Sequence, residues 1–152
     1  VEAYLIVQIE AARRYIGNPF IRENLTSLIY KPFFDFEIYH EFSPSDFDPS
    51  PNVKPVMIRV IKKSEPIIDL ENKESYVNFL KYAFLNQKER LSNSLKKIFT
   101  FNQFVIMSKN YHFDIKSNAS DLNFDQWIGL FSTFLTMVSE EKKAIIKNSP
   151  NS

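Results

Sequence analysis

A proline-rich segment holds the residue whose type and setting most clearly suggest chemistry. Phe47 stands between two acids, Asp46 and Asp48, and prolines occupy positions 44, 49, 51 and 55 of the same stretch. Prolines restrict the backbone before a ligand arrives, so an aromatic ring held there loses little entropy on binding. Such a ring can stack on an unpaired nucleic-acid base, a contact worth about 1–3 kcal/mol. The alternative is that Phe47 packs against a sheet edge as a hydrophobic plug.

Basic residues are the second group with a chemical use. The 152-residue chain has a formal charge of +1, which by itself gives no reason to expect a polyanionic partner. Residues 81–116, however, hold seven Lys and Arg against two acids. The candidates for contact with nucleic-acid phosphates are Lys54, Lys88, Arg90, Lys96 and Lys97. A solvated helix face explains the basic residues of this stretch equally well.

Other kinds of site find little support in the composition. The chain has no cysteine, which excludes disulfides and thiolate metal sites and favours a reducing compartment such as the cytoplasm. His40 and His112 lack carboxylates at ligand spacing, so we expect no metal site. No run approaches the roughly 18 apolar residues of a membrane span. We therefore expect no membrane partner.

Residues before Lys63 show the pattern of an α/β sheet. The run from Ala3 to Gln8 is almost continuously apolar, which predicts a strand covered on both faces. The next residues predict a helix that ends at Gly17, and a second short helix is predicted over Leu25 to Tyr30. Alternating segments on either side of the proline segment predict two antiparallel neighbouring strands. The alternation places five residues of the first one on a single face: Phe34, Phe36, Ile38, His40 and Phe42.

The pattern changes to helical spacing after Lys63. Apolar residues recur at this spacing in two groups, which are Tyr76, Val77, Leu80, Ala83 and Phe84, then Leu91, Leu95 and Ile98. Capping-box signatures that predict two further helices are formed by Thr100 with Gln103 and by Asn123 with Gln126. The second of these helices carries an apolar stripe typical of helix packing, at Trp127, Phe131 and Phe134.

These patterns predict two domains. Residues 1–64 form the end of an α/β sheet, and residues 65–148 form a small all-α domain. A linker-like stretch over residues 64–72 separates them. The polar residues 149–152 are predicted to be a tail.

Four stretches occur in the order and approximate spacing of a known family: YLIVQIEAARR, FDPSPNVKPVMIRV, YAFLNQKERLSNSLKKIF and LNFDQWIGLF. From Ala3 to about Phe134 the chain resembles the rRNA adenine N6-methyltransferases, which include the Erm macrolide-resistance enzymes and the KsgA-type dimethyladenosine transferases. It is most similar to the Erm branch. The most specific piece is F-x-P-x-P-x-V-x-[SP]-x-x-[IL]-x-[IVL], represented here by Phe47, Pro49, Pro51, Val53, Pro55, Ile58 and Val60.

The resemblance implies a fold and an activity. The fold would be the final strands of a Rossmann-like methyltransferase sheet followed by a helical rRNA-binding domain. The activity would be S-adenosylmethionine-dependent methylation of an rRNA adenine that leaves the stack and places one face on Phe47. An Erm-like enzyme would act on 23S rRNA and confer macrolide–lincosamide–streptogramin resistance. A KsgA-type 16S rRNA enzyme and a non-catalytic RNA-binding remnant stay open, and we expect a monomer.

Two motifs of the family have no counterpart in this sequence. They are the glycine-rich cofactor loop and N-[ILV]-P-[YF], and the chain contains only two glycines, Gly17 and Gly129. The GNPF stretch at residues 17–20 lacks the residue between Asn and Pro, and it follows the helix that the family motif precedes. We therefore expect a C-terminal fragment that holds no cofactor-binding residue and is inactive alone.

Overall fold

The protein divides into two compact units. The structure is a computed structural model that describes residues 1–149, so residues 150–152 of the predicted tail lie outside the described residues. The first unit is Val1–Leu70, and the second begins at Glu71. No helix in the described part of the chain is both long and apolar enough to cross a membrane.

The first unit is a three-stranded sheet with two helices. Its elements are β1 (Glu2–Gln8), α1 (Ile9–Ile16), α2 (Leu25–Tyr30), β2 (Phe34–Glu41) and β3 (Pro55–Lys62). The strand order is β1-β3-β2, and both pairings are antiparallel. The predicted strands and helices of this half are confirmed, including the antiparallel pairing across the proline segment.

One face of this sheet forms the core of the unit. Ile9 and Ala12 of α1 are buried together with Val56 and Ile58 of β3. Partly buried side chains that pack against this cluster come from all three strands, at Val7, Ile38 and Val60. Directly paired residues point to the same side of a sheet, so the register places Leu5, Ile38 and Ile58 on this face.

The prediction that β1 is covered on both faces is wrong for the described residues. Tyr4, Leu5 and Ile6 are 45%, 50% and 55% exposed. Because β1 is at the end of the strand order, it pairs only with β3 within residues 1–149. The sequence is that of a buried strand, but no described element covers its outer edge.

A β-bulge changes the direction of the side chains in β2. Ile38 pairs with Ile58, whereas His40 pairs with the next residue of β3, Met57, so Tyr39 is the extra residue. The bulge moves His40 and the following Phe42 onto the face opposite Ile38. The prediction that five alternating residues share one face is therefore wrong beyond Ile38.

A buried carboxylate holds the connection between α1 and α2. Glu23 is buried and accepts hydrogen bonds from the Asn18 backbone N–H (3.0 Å) and the Ser27 hydroxyl (2.8 Å), and it forms an ion pair with Lys31. Gly17 ends α1 with a φ of +65°, and a Cβ there would lie 2.9 Å from the Glu23 carboxylate oxygens. This position therefore requires glycine both for its backbone angle and for space.

The second unit consists of helices. They are α3 (Lys73–Ala83), α4 (Leu91–Ser94), α5 (Phe101–Asn110), α6 (Phe124–Met137) and α7 (Glu140–Lys147). Its core is rich in aromatic side chains, including Tyr76, Phe79, Phe104, Trp127, Phe131 and Phe134. Trp127 donates its indole N–H to the Ala119 carbonyl at 3.2 Å, so this buried polar atom is satisfied. The predicted packing role of the Trp127 stripe is confirmed.

The helix boundaries follow the capping residues. The boxes at Thr100–Gln103 and Asn123–Gln126 are both formed, as predicted. The helical spacing of Leu91, Leu95 and Ile98 corresponds to only one turn of α4 followed by irregular turns, although all three side chains are buried. Helix α7 was not predicted, although Ser139 caps it and acids occupy its first turn.

Candidate nucleic-acid interface

The loop between β2 and β3 carries Phe47 and is held by backbone hydrogen bonds at both ends. The N–H of Phe42 donates to the carbonyl of Pro55 at 3.3 Å, and the N–H of Ile9 donates to that of Lys54 at 3.0 Å. A short 3-10 helix, Pro44–Asp46, is capped by Ser43 and Asp46. The loop is therefore ordered by its own hydrogen bonds as well as by its prolines.

The ring of Phe47 is supported by a second aromatic ring. Its centroid lies 5.4 Å from that of Phe42, with the two planes at 74°. Phe42 in turn lies 4.6 Å from the His40 ring at 78°. The β-bulge brings this about, since it turns His40 and Phe42 to the face opposite the core. The three residues form an aromatic row that ends at Phe47.

Phe47 is half-buried, so part of its ring is accessible and part is packed. The arrangement is compatible with stacking on a base, because one aromatic neighbour fixes the ring while the remainder stays open. It is also compatible with a partial plug. The role of Phe47 as the residue that stacks on the target adenine stays a prediction.

Lys54 lies beside an acid. Its ammonium donates to the Glu41 carboxylate at 2.7 Å, and both side chains are about half exposed. This hydrogen bond and the charge of Lys54 lower the pKa of Glu41, and the charge of Arg13 adds to the effect. The pairing compensates the charge of Lys54, which weakens its attraction for a phosphate in a loop that already contains Asp46 and Asp48.

The other predicted RNA-binding residues belong to the helical unit. Lys88 and Arg90 lie in the turns between α3 and α4, and Lys96 and Lys97 follow α4. All four are exposed, and none of them forms an ion pair among the described residues. Lys96 and Lys97 line a common cleft. Their contact with RNA stays a prediction.

Comparison with known proteins identifies the family. The family model for Ribosomal RNA adenine dimethylase matches residues 1–135, which is most of the chain. The chain belongs to this family. The recognition based on the sequence motifs is thereby confirmed.

Individual relatives of the dimethylase family agree with this assignment. The chain is 27% identical over 134 residues to the ribosomal RNA small subunit methyltransferase A of Persephonella marina, covering 88% of the chain and 48% of that protein. It is 25% identical over 138 residues to an rRNA adenine N-6-methyltransferase of Bacillus licheniformis, covering 91% and 48%. The chain thus spans about half the length of the curated relatives it matches.

Solved structures of dimethylase relatives show the same fold. The 23S rRNA methyltransferase ErmE matches with a TM-score of 0.76 at 19% identity, over 89% of this chain and 55% of that one. A dimethyladenosine transferase from Plasmodium falciparum matches with a TM-score of 0.61 at 17% identity, over 94% and 58%. The predicted fold class, final strands of a methyltransferase sheet followed by a small helical domain, is confirmed.

The two glycines of this dimethylase chain do not offer a cradle for S-adenosylmethionine. The space beside Gly17 is filled by the Glu23 and Ser27 side chains, and a Cβ on Gly129 would lie 2.6 Å from the Tyr111 ring. No group of three or more His, Asp or Glu side chains in residues 1–149 is arranged to hold a metal. Neither glycine therefore offers the open space that a glycine-rich cofactor loop provides.

One functional candidate was missed at the sequence level. The alternation of β2 predicted Phe42 on the same face as Ile38, whereas the structure places it on the opposite face. The bulge that moves it has no signal in the sequence, since Tyr39 is a common strand residue. The only sequence feature that pointed to Phe42 was its position directly after β2 and two residues before Pro44.

Proposed function

We propose that this chain is the C-terminal half of an S-adenosylmethionine-dependent rRNA adenine N6-methyltransferase of the Erm type, which acts on 23S rRNA. The first unit would complete the catalytic domain, and the helical unit would bind rRNA. The observation that carries the proposal is the family match over residues 1–135 together with an ordered loop that presents Phe47 on an aromatic support. Macrolide–lincosamide–streptogramin resistance would be the consequence.

The outer edge of β1 supports the proposal that another segment completes the sheet. Edge strands of stable proteins usually carry charges, prolines or bulges that prevent further pairing. The central residues of β1, Tyr4, Leu5 and Ile6, have none of these and are about half exposed. An apolar strand of this kind is suited to pair with a further strand and to be covered by it. The other half of the methyltransferase would supply that strand.

The proposed task of the described residues is to hold the target base. An adenine must leave the RNA stack before its N6 can react, which costs a few kcal/mol. Stacking on Phe47 would return about 1–3 kcal/mol of this cost. Phe42 would fix the orientation of the Phe47 ring, so that the flipped base meets one defined surface. The second face of the base and the methyl donor would be held by the other half.

The alternative within the family is a KsgA-type enzyme that acts on 16S rRNA. The 27% identity to a small subunit methyltransferase favours it, whereas the TM-score of 0.76 with ErmE favours the Erm type. A non-catalytic RNA-binding remnant is the third candidate, and the absence of a glycine-rich loop in the sequence favours that one.

Reading the DNA upstream of the Val1 codon tests these proposals. An open reading frame that continues upstream and encodes a glycine-rich loop and N-[ILV]-P-[YF] is expected. The protein encoded by the whole frame should transfer labelled methyl groups to 23S rRNA transcripts and not to 16S rRNA transcripts. Transfer to 16S rRNA alone would favour the KsgA type. A stop codon close to Val1 in the same frame would favour the remnant.

A further inference from the structure

A polar cleft in the helical unit is lined by residues of the stretch YAFLNQKERLSNSLKKIF. It has a volume of about 300 Å³ and lies between the end of α3 and the turn after α4. Its lining residues are Tyr82, Asn86, Glu89, Asn93, Ser94, Lys96 and Lys97. The volume is at the lower end of the range of small-ligand sites, about 300–1,000 Å³, and suits a ligand the size of one nucleotide.

The wall of the cleft is fixed by local hydrogen bonds. The Glu89 N–H donates to the Asn86 carbonyl at 3.0 Å, and the Asn93 side-chain amide donates to the Glu89 carboxylate at 2.6 Å. The Lys96 N–H donates to the Asn93 carbonyl at 3.3 Å. These bonds tie the turn before α4 to the turn after it, so the cleft exists before any ligand binds.

The chemistry of the lining is mixed in a way that matches a nucleotide. Lys96 and Lys97 are exposed cations suited to a phosphodiester. Tyr82 offers a half-buried aromatic ring, and burial raises the pKa of its hydroxyl, which therefore stays protonated at neutral pH. The Asn86 amide and the Glu89 carboxylate can exchange hydrogen bonds with a base edge or a ribose hydroxyl. One acid against two lysines leaves the cleft positive.

We propose that this cleft binds one unpaired nucleotide of RNA, with the phosphate on Lys96 and Lys97 and the base against Tyr82. The proposal rests on the proposed function, because it takes rRNA as the partner of the helical unit. It goes further by assigning a second nucleotide site, separate from the one at Phe47. A bound unpaired nucleotide would give the helical unit a preference for single-stranded or bulged RNA over a regular duplex.

Fluorescence anisotropy with the 152-residue chain and labelled decauridylate tests the phosphate contacts. The double variant K96A/K97A should reduce the slope of log Kd against log salt by about 0.7, the contribution of one phosphate contact on a single strand. The matched control is K109A/K116A, which removes the same charge from exposed lysines of the same unit that do not line the cleft. It should leave the slope almost unchanged. Equal slopes for the two double variants would overturn the proposal.

A decamer with the same phosphates but abasic riboses tests the contact with the base. The wild-type chain should bind it at least about fivefold more weakly than decauridylate, the smallest effect expected for one stacked base. Tyr82→Leu should reduce this difference, and Tyr82→Phe should preserve it. Equal binding of the two oligomers by the wild-type chain would overturn the proposal, even if Tyr82→Leu fails to fold.

The outcomes separate this proposal from the proposed function. If the complete protein transfers methyl groups and the substitutions in the cleft leave its affinity for RNA unchanged, the cleft proposal alone is refuted. Cleft-dependent binding by a chain whose complete protein transfers no methyl group would refute the methyltransferase proposal alone.

Discussion

Phe42 lies against Phe47 with its ring nearly perpendicular and 5.4 Å away, and a β-bulge three residues before Phe42, at Tyr39, makes that contact possible. Phe42 is a positioning residue on this account. In the complete methyltransferase, Phe42→Leu should lower methyl transfer while leaving cofactor affinity unchanged, because the Phe47 ring loses its aromatic support. The matched control is Phe20→Leu, which alters a ring of the same unit that is 50% exposed. Equal activity of the two variants would refute the positioning role.

The exposed residues of β1 give a test of the proposed partner strand. In the 152-residue chain, Ile6→Lys should change the free energy of unfolding by no more than about 0.5 kcal/mol, because Ile6 is already 55% exposed. In the complete protein the same lysine would be buried without a partner and should lower the melting temperature strongly. Ile106→Lys, at a residue of α5 that is 57% exposed, is the control and should be mild in both proteins. Mild effects of Ile6→Lys in both would contradict coverage of β1.

The 152-residue chain alone should neither bind S-adenosylmethionine nor transfer methyl groups. Its two glycines are packed against side chains, and its sequence has no glycine-rich loop. Isothermal titration of the chain with the cofactor should give no heat of binding. Stoichiometric binding at micromolar concentration would show that the described residues contain a site after all.

The Glu23 cluster should matter for stability and not for RNA. Glu23→Ala removes the acceptor of the Asn18 N–H and the Ser27 hydroxyl and leaves Lys31 without its carboxylate. Breaking a buried pair of this kind costs about 3–5 kcal/mol. Thermal or urea unfolding should show a large loss, with decauridylate binding unchanged below the transition. Glu41→Ala, which breaks the exposed pair with Lys54, is the control and should be far milder.

Local signals predicted most of the elements correctly. The capping boxes at Thr100 and Asn123 each involve two residues three positions apart. The sequence alone was therefore sufficient to predict where these two helices begin. The end of α1 was equally local, since Gly17 adopts a positive φ that other residues avoid.

Features that depend on pairing partners could not be predicted in the same way. The bulge at Tyr39 arises from the register with Met57 and Ile58, which no short window of β2 contains. The apolar run of β1 correctly indicated a strand, but the run itself does not specify which elements pack against its faces. The aromatic row at the candidate site was not predicted because it depends on the bulge. The bulge places Phe42 on the face where its ring contacts Phe47.

The most direct test of the account is methyl transfer by the complete protein with substitutions at Phe47. Phe47→Ala and Phe47→Leu should both lower transfer to rRNA, whereas Phe47→Tyr and Phe47→Trp should retain much of it, because only an aromatic ring offers a π-face to adenine. Because Phe47 is half-buried, the loss of stability in Phe47→Ala should stay below the roughly 3–5 kcal/mol of a fully buried Phe. A destabilised Phe47→Ala protein whose activity and stability are both fully restored by Leu would contradict base stacking and make Phe47 a hydrophobic plug.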